Sequence, residues 1–458
     1  MRSYLSSRLK QLSQKKFFQT GLRNPLKSVS SAKSACYLLF LFSLLFLSCN
    51  QKKDSQTEIS FWAMGAEGEF VQKLVPEFEK QNPGIKIKVQ MVPWTAAQEK
   101  LVTAYASDNS PDVYQLGNTW VPQFSALGAI EELNPWIQNS SVVKREKYFE
   151  GIWDTNVLES GVYGIPWYVD TRVLFYRKDV LAKAGYNLPP KTWEELYDCS
   201  KKIKATQPAD KYPIYIPTNE WAPFVIFGLQ ANANLLKNNA TYGNFQSKEF
   251  QTAFSFLINF IKEKLAPMSV SQVTNIYQAF AGEYLNMYIS GPWNVNEFKK
   301  WMTGNLADKW MTAPLPNMVG GKYPGVSLAG GSSLVMSKHS KKKESAWKFI
   351  EYLSTPKTQA ELYHLINDLP AVKEAWNDPL LKNDIYLKSF YDQFQNVVAT
   401  PKIPEWEQIV FSKLQQYAEY TARGVMTVNE AMKAMDGDVN TILEKRRWMI
   451  SRNLKYKK

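Results

Sequence analysis

Polar and apolar residues alternate through Ile59-Ser60-Phe61-Trp62, which predicts a first strand. Gly65-Ala66-Glu67-Gly68 then turns into a helix whose apolar face carries Phe70, Leu74 and Phe78, and Gln81-Asn82-Pro83-Gly84 ends it. Ile85-Lys86-Ile87-Lys88-Val89 alternates again and predicts a second strand. Trp94 to Tyr105 has helical spacing. Pro111-Asp112-Val113-Tyr114-Gln115-Leu116 predicts a third strand, followed by a Gly-Asn-Thr-Trp loop and a helix over Val121 to Leu127. This β-α-β-α-β succession predicts a mainly parallel sheet covered by helices. Ligands of such sheets sit outside the carboxyl ends of the strands. Those ends carry Glu67, Trp94, Asn118, Thr119 and Trp120.

The next stretch, Tyr163 to Asp179, is the most informative of the chain. Pro166 cannot donate to a ladder and Gly164 tolerates unusual dihedrals, which predicts a kink before the β-branched and aromatic run Val169 to Tyr176. Trp167, Tyr168, Asp170 and Arg172 cluster where that run begins. Flat rings, a carboxylate and a guanidinium are what a polyhydroxylated ligand needs: apolar faces to stack on and charge-assisted hydrogen bonds for hydroxyls. Alone, the stretch also reads as an ordinary core strand with a snorkelling Arg.

Beyond it the pattern is mainly helical. Thr192-x-x-Glu195 is a capping box, and Phe250, Phe254, Leu257 and Ile261 share one helical face. Met287 to Ser290 is a short strand running into Gly291-Pro292-Trp293, and Leu328-Ala329-Gly330-Gly331 would let backbone approach a ligand closely. Among the tryptophans, Trp94, Trp120, Trp167, Trp221 and Trp293 follow turns at predicted strand ends and are assigned to a cleft. Trp62, Trp136, Trp301, Trp310 and Trp347 are assigned to packing.

Length and charge refine this picture. A chain of 458 residues is too long for one core, so two lobes are expected. The net charge of +13 suggests nucleic acid or a membrane, but residues 1–49 hold eight Lys/Arg and no acid, and residues 445–458 hold seven and no acid. The body between them sums to −2, which discounts a nucleic-acid surface. The first basic block precedes the apolar run Ala35 to Leu47 and then Phe46-Leu47-Ser48-Cys49-Asn50. That order resembles a bacterial lipoprotein signal with Cys49 as the lipidated residue, followed by a short tether; a signal anchor that is never cleaved is the other reading. Of three Cys, only Cys199 then remains in the body, so no disulfide framework and no Cys-based metal site is expected. Cys199 follows a helical pattern as a small buried hydrophobe. No cofactor motif is present. There is no Gly-rich phosphate loop before Lys-Ser/Thr, no nucleophile elbow and no His/Asp metal cluster, and the only histidines are His339 and His364.

Six stretches together carry a family resemblance. They are Glu77 to Ile85, Val92-Pro93-Trp94, Ser110-Pro111-Asp112-Val113, Tyr163 to Asp179, Ser290-Gly291-Pro292-Trp293 and Ala346-Trp347-Lys348-Phe349-Ile350. In this order they resemble the extracellular solute-binding proteins of carbohydrate ABC importers, the maltose- and trehalose-binding group. The resemblance implies an α/β, two-lobe periplasmic-binding-protein fold, each lobe a mainly parallel sheet flanked by helices, with a ligand cleft between the lobes. It implies residues 57–165 plus 314–372 in one lobe, 166–313 plus 373–458 in the other, 1–49 as signal peptide and 50–56 as tether. Tyr168 and Asp170 fall where such binders place a ligand-contacting Tyr and Asp, and Trp293 where they stack a Trp on a sugar ring. Glu67 matches a hydroxyl-binding carboxylate, and Gly330 and Gly331 a loop whose backbone contacts sugar. The late helix departs from the pattern, because Val410 stands where a stacking aromatic is usual and Trp406 lies one turn earlier.

The implied protein is a monomer, lipid-anchored at the bacterial cell envelope and facing the periplasm or the exterior. It would capture a mono- or oligosaccharide and deliver it to the transmembrane subunits of an ABC permease. Two other readings stay open: a lipoprotein of the same fold that binds a non-sugar solute or another partner, and a glycoside-acting enzyme in which Glu67 and Asp170 pair across the cleft.

Overall fold

A computed structural model describes residues 56–159 and 161–456, so the signal, Cys49 and most of the tether lie outside the described residues. The strands that build the cleft are β1 (Thr57–Met64), β2 (Ile85–Val92), β3 (Val113–Gly117), β4 (Ile165–Asp170) and β5 (Val173–Arg177). They continue as β6 (Tyr212–Tyr215), β7 (Leu285–Ser290), β8 (Trp310–Ala313), β9 (Ser327–Leu328), β10 (Gly330–Met336), β11 (Leu369–Pro370) and β12 (Val397–Val398). A six-stranded sheet runs β11-β4-β10-β3-β1-β2, and a four-stranded sheet runs β8-β5-β7-β6.

The first three strands form as their alternation predicts. β1 lies parallel to β2 from Thr57↔Ile85 to Met64↔Val92 and parallel to β3 at Phe61↔Val113. Their carboxyl ends therefore share one edge, from which the helix Gly65–Phe70 and the turn Asn118–Trp120 project. The helix Trp193–Thr206 opens with the expected capping box of Thr192 and Glu195.

Both sheets are mixed rather than mainly parallel. In the larger one, β10 runs antiparallel to both β3 and β4, and β11 antiparallel to β4. In the smaller one only β6 and β7 are parallel. The reason is the crossing of the chain between sheets. β4 carries it out of the large sheet and β10 brings it back, so as hydrogen-bonded neighbours they must run in opposite directions.

The crossings also lie later than expected. Pro166 sits within β4, beside a register shift between Ser332 and Ser333 that accommodates a residue without an N–H. The chain changes sheet at Thr171–Arg172, not between 165 and 166. It re-enters the large sheet at Gly330, whereas the expectation was a switch at 313/314. The crossings are tied side by side. The Ser327 hydroxyl donates to the Arg172 carbonyl (3.0 Å) and accepts from the Arg172 amide (3.3 Å), and β9 pairs in parallel with β12.

One core joins the large sheet to a face of the small one, with Phe61, Trp167, Phe175, Phe298, Trp310 and Phe349 among its members. A second core covers the other face of the small sheet and takes in Phe224, Phe250, Cys199 and the late helices through Trp406 and Val410. Cys199 is fully buried, and burial pushes its thiol up to about 12. No helix among the described residues is long and apolar enough to cross a membrane.

Candidate functional site

β4 divides its side chains by the period of a strand. Ile165, Trp167 and Val169 face the core, while Tyr168 and Asp170 stay half-buried on the other side. Trp167, expected in the cleft, is 1% exposed and meets Phe61 edge-on at 5.8 Å. The correction follows from the alternation itself: if Tyr168 and Asp170 face a ligand, Trp167 cannot.

Tyr168 is positioned by a chain of hydrogen bonds that runs across five elements. Gln115 in β3 accepts from the Met64 amide (2.7 Å) and donates to Glu67 (3.1 Å) and to the Ser332 hydroxyl (3.0 Å). Ser332 in β10 in turn donates to the Tyr168 phenol (3.1 Å). Burial, Glu67 and Asp368 together push the Tyr168 phenol well above its ordinary range, so it remains a proton donor. Glu67 itself is buried, held by a helix that can start only because Gly65 adopts a φ of +47°.

Asp170 accepts from the Arg172 guanidinium at 2.9 Å. Burial raises its carboxyl, and the Arg172 charge and the Gly331 amide oppose that rise. Gly330 and Gly331, expected to offer backbone to a ligand, lie in β10 opposite Asp170 and Val169. A Cβ on Gly330 would stand 2.3 Å from the Asp170 carboxylate, and one on Gly331 2.3 Å from the Tyr168 carbonyl. Their smallness lets β10 close onto the polar edge of β4.

The facing wall comes from the helix Trp293–Trp301. Pro292 precedes it with its φ fixed, and Gly291 is required because a Cβ there would lie 2.1 Å from the Trp293 ring. Trp293 is 51% exposed. The Arg172 guanidinium lies 4.6 Å from its ring centroid and 3.9 Å from Glu220, so one Arg joins Asp170 on one wall to Trp293 and Glu220 on the other. Between the walls lies a cavity of about 360 Å³, lined by Tyr168, Asp170, Trp293, Asn296, Glu297 and Asp368 among others.

The remaining expected residues do not line this cavity. Trp94 and Trp120 pack edge-to-face at 5.6 Å, and the Trp94 indole covers Gly65. Asn118 accepts from Ser333 (2.9 Å) and keeps a buried amide nitrogen without a partner. Thr119 sits within hydrogen-bonding reach of Glu407 in the late helical region, which burial raises. Trp221 packs against Trp406 at 6.4 Å and Phe411 at 6.1 Å.

Sequence reasoning missed two residues. Asp368 follows a helix end and carries no motif. Phe411 is 53% exposed, whereas Val410 and Trp406 are both fully buried. The π-helical turn Ile409–Leu414 sets which face of the late helix is exposed, and no periodicity of 3.6 anticipates it. Trp301, assigned to packing, is also exposed, at 41%. It ends the helix Trp293–Trp301, whose buried residues are Asn294, Val295 and Phe298.

What the arrangement can do chemically is bind. Glu67 and Asp170 do not face each other across the cleft, since both belong to the wall of the large sheet. His339 and His364 pair with Asp108 and Asp378 and line no part of the cavity. Among the described residues no group of His, Cys, Asp or Glu is arranged to hold a metal ion.

Comparison with known proteins agrees. Residues 63–360 match the model of the bacterial extracellular solute-binding protein family. The diacetylchitobiose binding protein DasA of Streptomyces coelicolor is 26% identical over 396 residues, covering 83% of this chain and 89% of that protein. A galactooligosaccharide-binding protein of Bacillus subtilis is 25% identical over 419 residues, covering 87% and 94%. Among solved structures, the sugar-binding protein MalE from Xanthomonas citri is 45% identical with a TM-score of 0.83, covering 86% of this chain and 99% of that one.

Proposed function

Because this chain belongs to the bacterial extracellular solute-binding proteins, we propose that it is the substrate-binding component of an ABC-type sugar importer. The observation that carries the reading is the cavity in which the half-exposed Trp293 ring faces Tyr168 and Asp170. A sugar ring has apolar C–H faces and a polar rim, so it fits an aromatic plate opposite acceptors and donors. Relatives named for diacetylchitobiose, galactooligosaccharides and sugar in general support the same class of ligand.

The sugar bridges both walls and therefore favours the closed arrangement of the lobes by its differential affinity. The crossings at Thr171–Arg172 and at the β9–β12 pair act as the hinge. The closed form is what the transmembrane permease subunits read, and the protein, a monomer, releases its ligand unaltered. Calorimetry against a panel of mono- and disaccharides tests this. A member of the panel should bind in the micromolar range or tighter, and heat signals absent throughout the panel would reject the sugar reading.

Anchoring is a separate part of the proposal. Cys49 carries the lipid that holds the protein at the cell envelope. Cys49→Ala should abolish palmitate labelling and release the protein from the membrane fraction, and unchanged labelling would end that reading.

A further inference from the structure

The helix Pro356–Ile366 ends on Asn367, a left-handed residue with φ 65°. The chain then turns back along β4, with Leu369 beside Val169 and Pro370 beside Tyr168. That turn delivers Asp368 to the cavity between Tyr168, Asp170 and Trp293. The Asp368 Oδ2 atom is buried and has no hydrogen-bond partner.

The charged groups around it are committed. Asp170 has Arg172 and the Gly331 amide, and Glu67 has Gln115 and faces the Tyr168 phenol. Arg172 is engaged by Asp170 and Glu220, and Lys300 on the opposite helix by Glu297. Among the described residues no cation pairs with Asp368, while Glu67 and Asp170 repel a charge placed there. A buried acceptor without a donor is costly, and a like-charged surround makes it more so. The turn gains nothing from it, because a left-handed Asn followed by a short strand closes as well around a neutral side chain.

Resting on the sugar-binding reading, we propose that Asp368 is a direct ligand contact, its carboxylate taking a hydroxyl of the bound saccharide and selecting among sugars by requiring a donor at that point. A bound hydroxyl supplies the proton donor that the protein does not. It enters on the same wall as Tyr168 and Asp170, so the ring that it belongs to is the one stacked on Trp293.

The test is a coupling measurement. The best-bound saccharide of the panel and its monodeoxy analogues are titrated into the wild-type protein and into Asp368→Ala, with thermal unfolding recorded for both. The variant should bind the parent sugar about tenfold more weakly. One monodeoxy analogue should bind wild type and variant alike, within about twofold, because the group that Asp368 holds is missing from it. Asp368→Leu, of similar size and without an acceptor, gives the same comparison should the alanine variant unfold. Equal losses for the parent and every analogue, or no loss for any, would overturn the role of Asp368 while leaving the sugar reading in place. A wild-type protein that binds no saccharide would instead reject both.

Discussion

The two walls of the cleft are built on opposite terms. On the large-sheet side, Glu67, Tyr168 and Asp170 are buried or half-buried and locked by bonds that cross β1, β3, β10 and β4. On the other side Trp293 stands half exposed on its helix, held by the Gly291-Pro292 turn. The difference follows from what each group offers. A carboxylate must be aimed, because its hydrogen bonds are directional and water competes for it. A ring needs only a fixed plane and an open face, and exposure costs it little. One wall specifies orientation, and the other supplies contact area with little entropy to lose.

The strongest test of this division first separates binding from folding. Trp310 is 1% exposed, stacks on Tyr386 at 3.9 Å and packs against Phe298 on the buried face of the helix that carries Trp293, outside the cavity itself. Trp310→Ala should lower stability by about 3–5 kcal/mol in thermal or urea unfolding. Affinity per folded molecule, measured by calorimetry on the folded fraction, should stay within about twofold. A large loss of affinity there would mean that the walls are not independent of the core beneath them.

The next effect belongs to the aimed wall. Asp170→Ala leaves Arg172 without its 2.9 Å partner and removes the acceptor proposed for the ligand. Truncating a buried charged pair at a binding site costs about 2–5 kcal/mol, and the partial exposure of this pair places it at the low end. Binding of the transported sugar should weaken by at least about thirtyfold. A loss smaller than that of the Trp293 variant would reverse the ranking of the walls.

Much of this was legible in the sequence, for reasons that differ by residue. The alternation of Ile59 to Trp62 and of Ile85 to Val89 predicted β1 and β2, because one buried face imposes period two. Gly291-Pro292-Trp293 predicted a held ring, because two residues with special backbones flank it. The same alternation could have excluded Trp167: with Tyr168 and Asp170 on one side, it had to face the core. The sheets came out mixed because strand direction depends on where the chain returns, which no local pattern encodes. Asp368 was invisible for a related reason. It reaches the cavity only because β11 folds back onto β4, from far along the chain. Phe411 was hidden by a π-helical turn, which the usual helical period does not describe.

Trp293→Ala tests the contact wall. The ring contributes stacking of about 0.5–1.5 kcal/mol beyond area burial, so binding should weaken by about tenfold, near 1.4 kcal/mol. The fold should survive, since the ring is half exposed. Trp301→Ala is the surface comparison, with a ring of similar exposure outside the cavity, and should change neither melting temperature nor affinity appreciably. An unfolded Trp293 variant would show that this Trp holds structure and is no contact plate.

The smallest effect concerns the cost of aiming carboxylates. Burial first, then Glu67 and Asp170, raise the Asp368 carboxyl well above its ordinary range; Tyr168 lines the same wall, and Glu297 and Lys300 face it from the opposite helix. Between the unfolded value near 3.9 and the raised folded value, the native state holds more protons than the unfolded one. Stability therefore falls as pH rises through that window, and the penalty is complete above it. Asp368→Asn removes the titrating group. The variant should melt above wild type by a margin that widens as pH rises from 4 to 8, reaching about 1 °C or more. The gain should shrink as pH falls toward 4 and vanish below it, because both proteins then carry a neutral side chain at this position. Differential scanning fluorimetry without sugar, run across pH 4 to 8, reads this directly. A gain that does not depend on pH would place its origin in packing, and a loss of stability at pH 8 would mean that the Asp368 carboxylate is welcome where it stands.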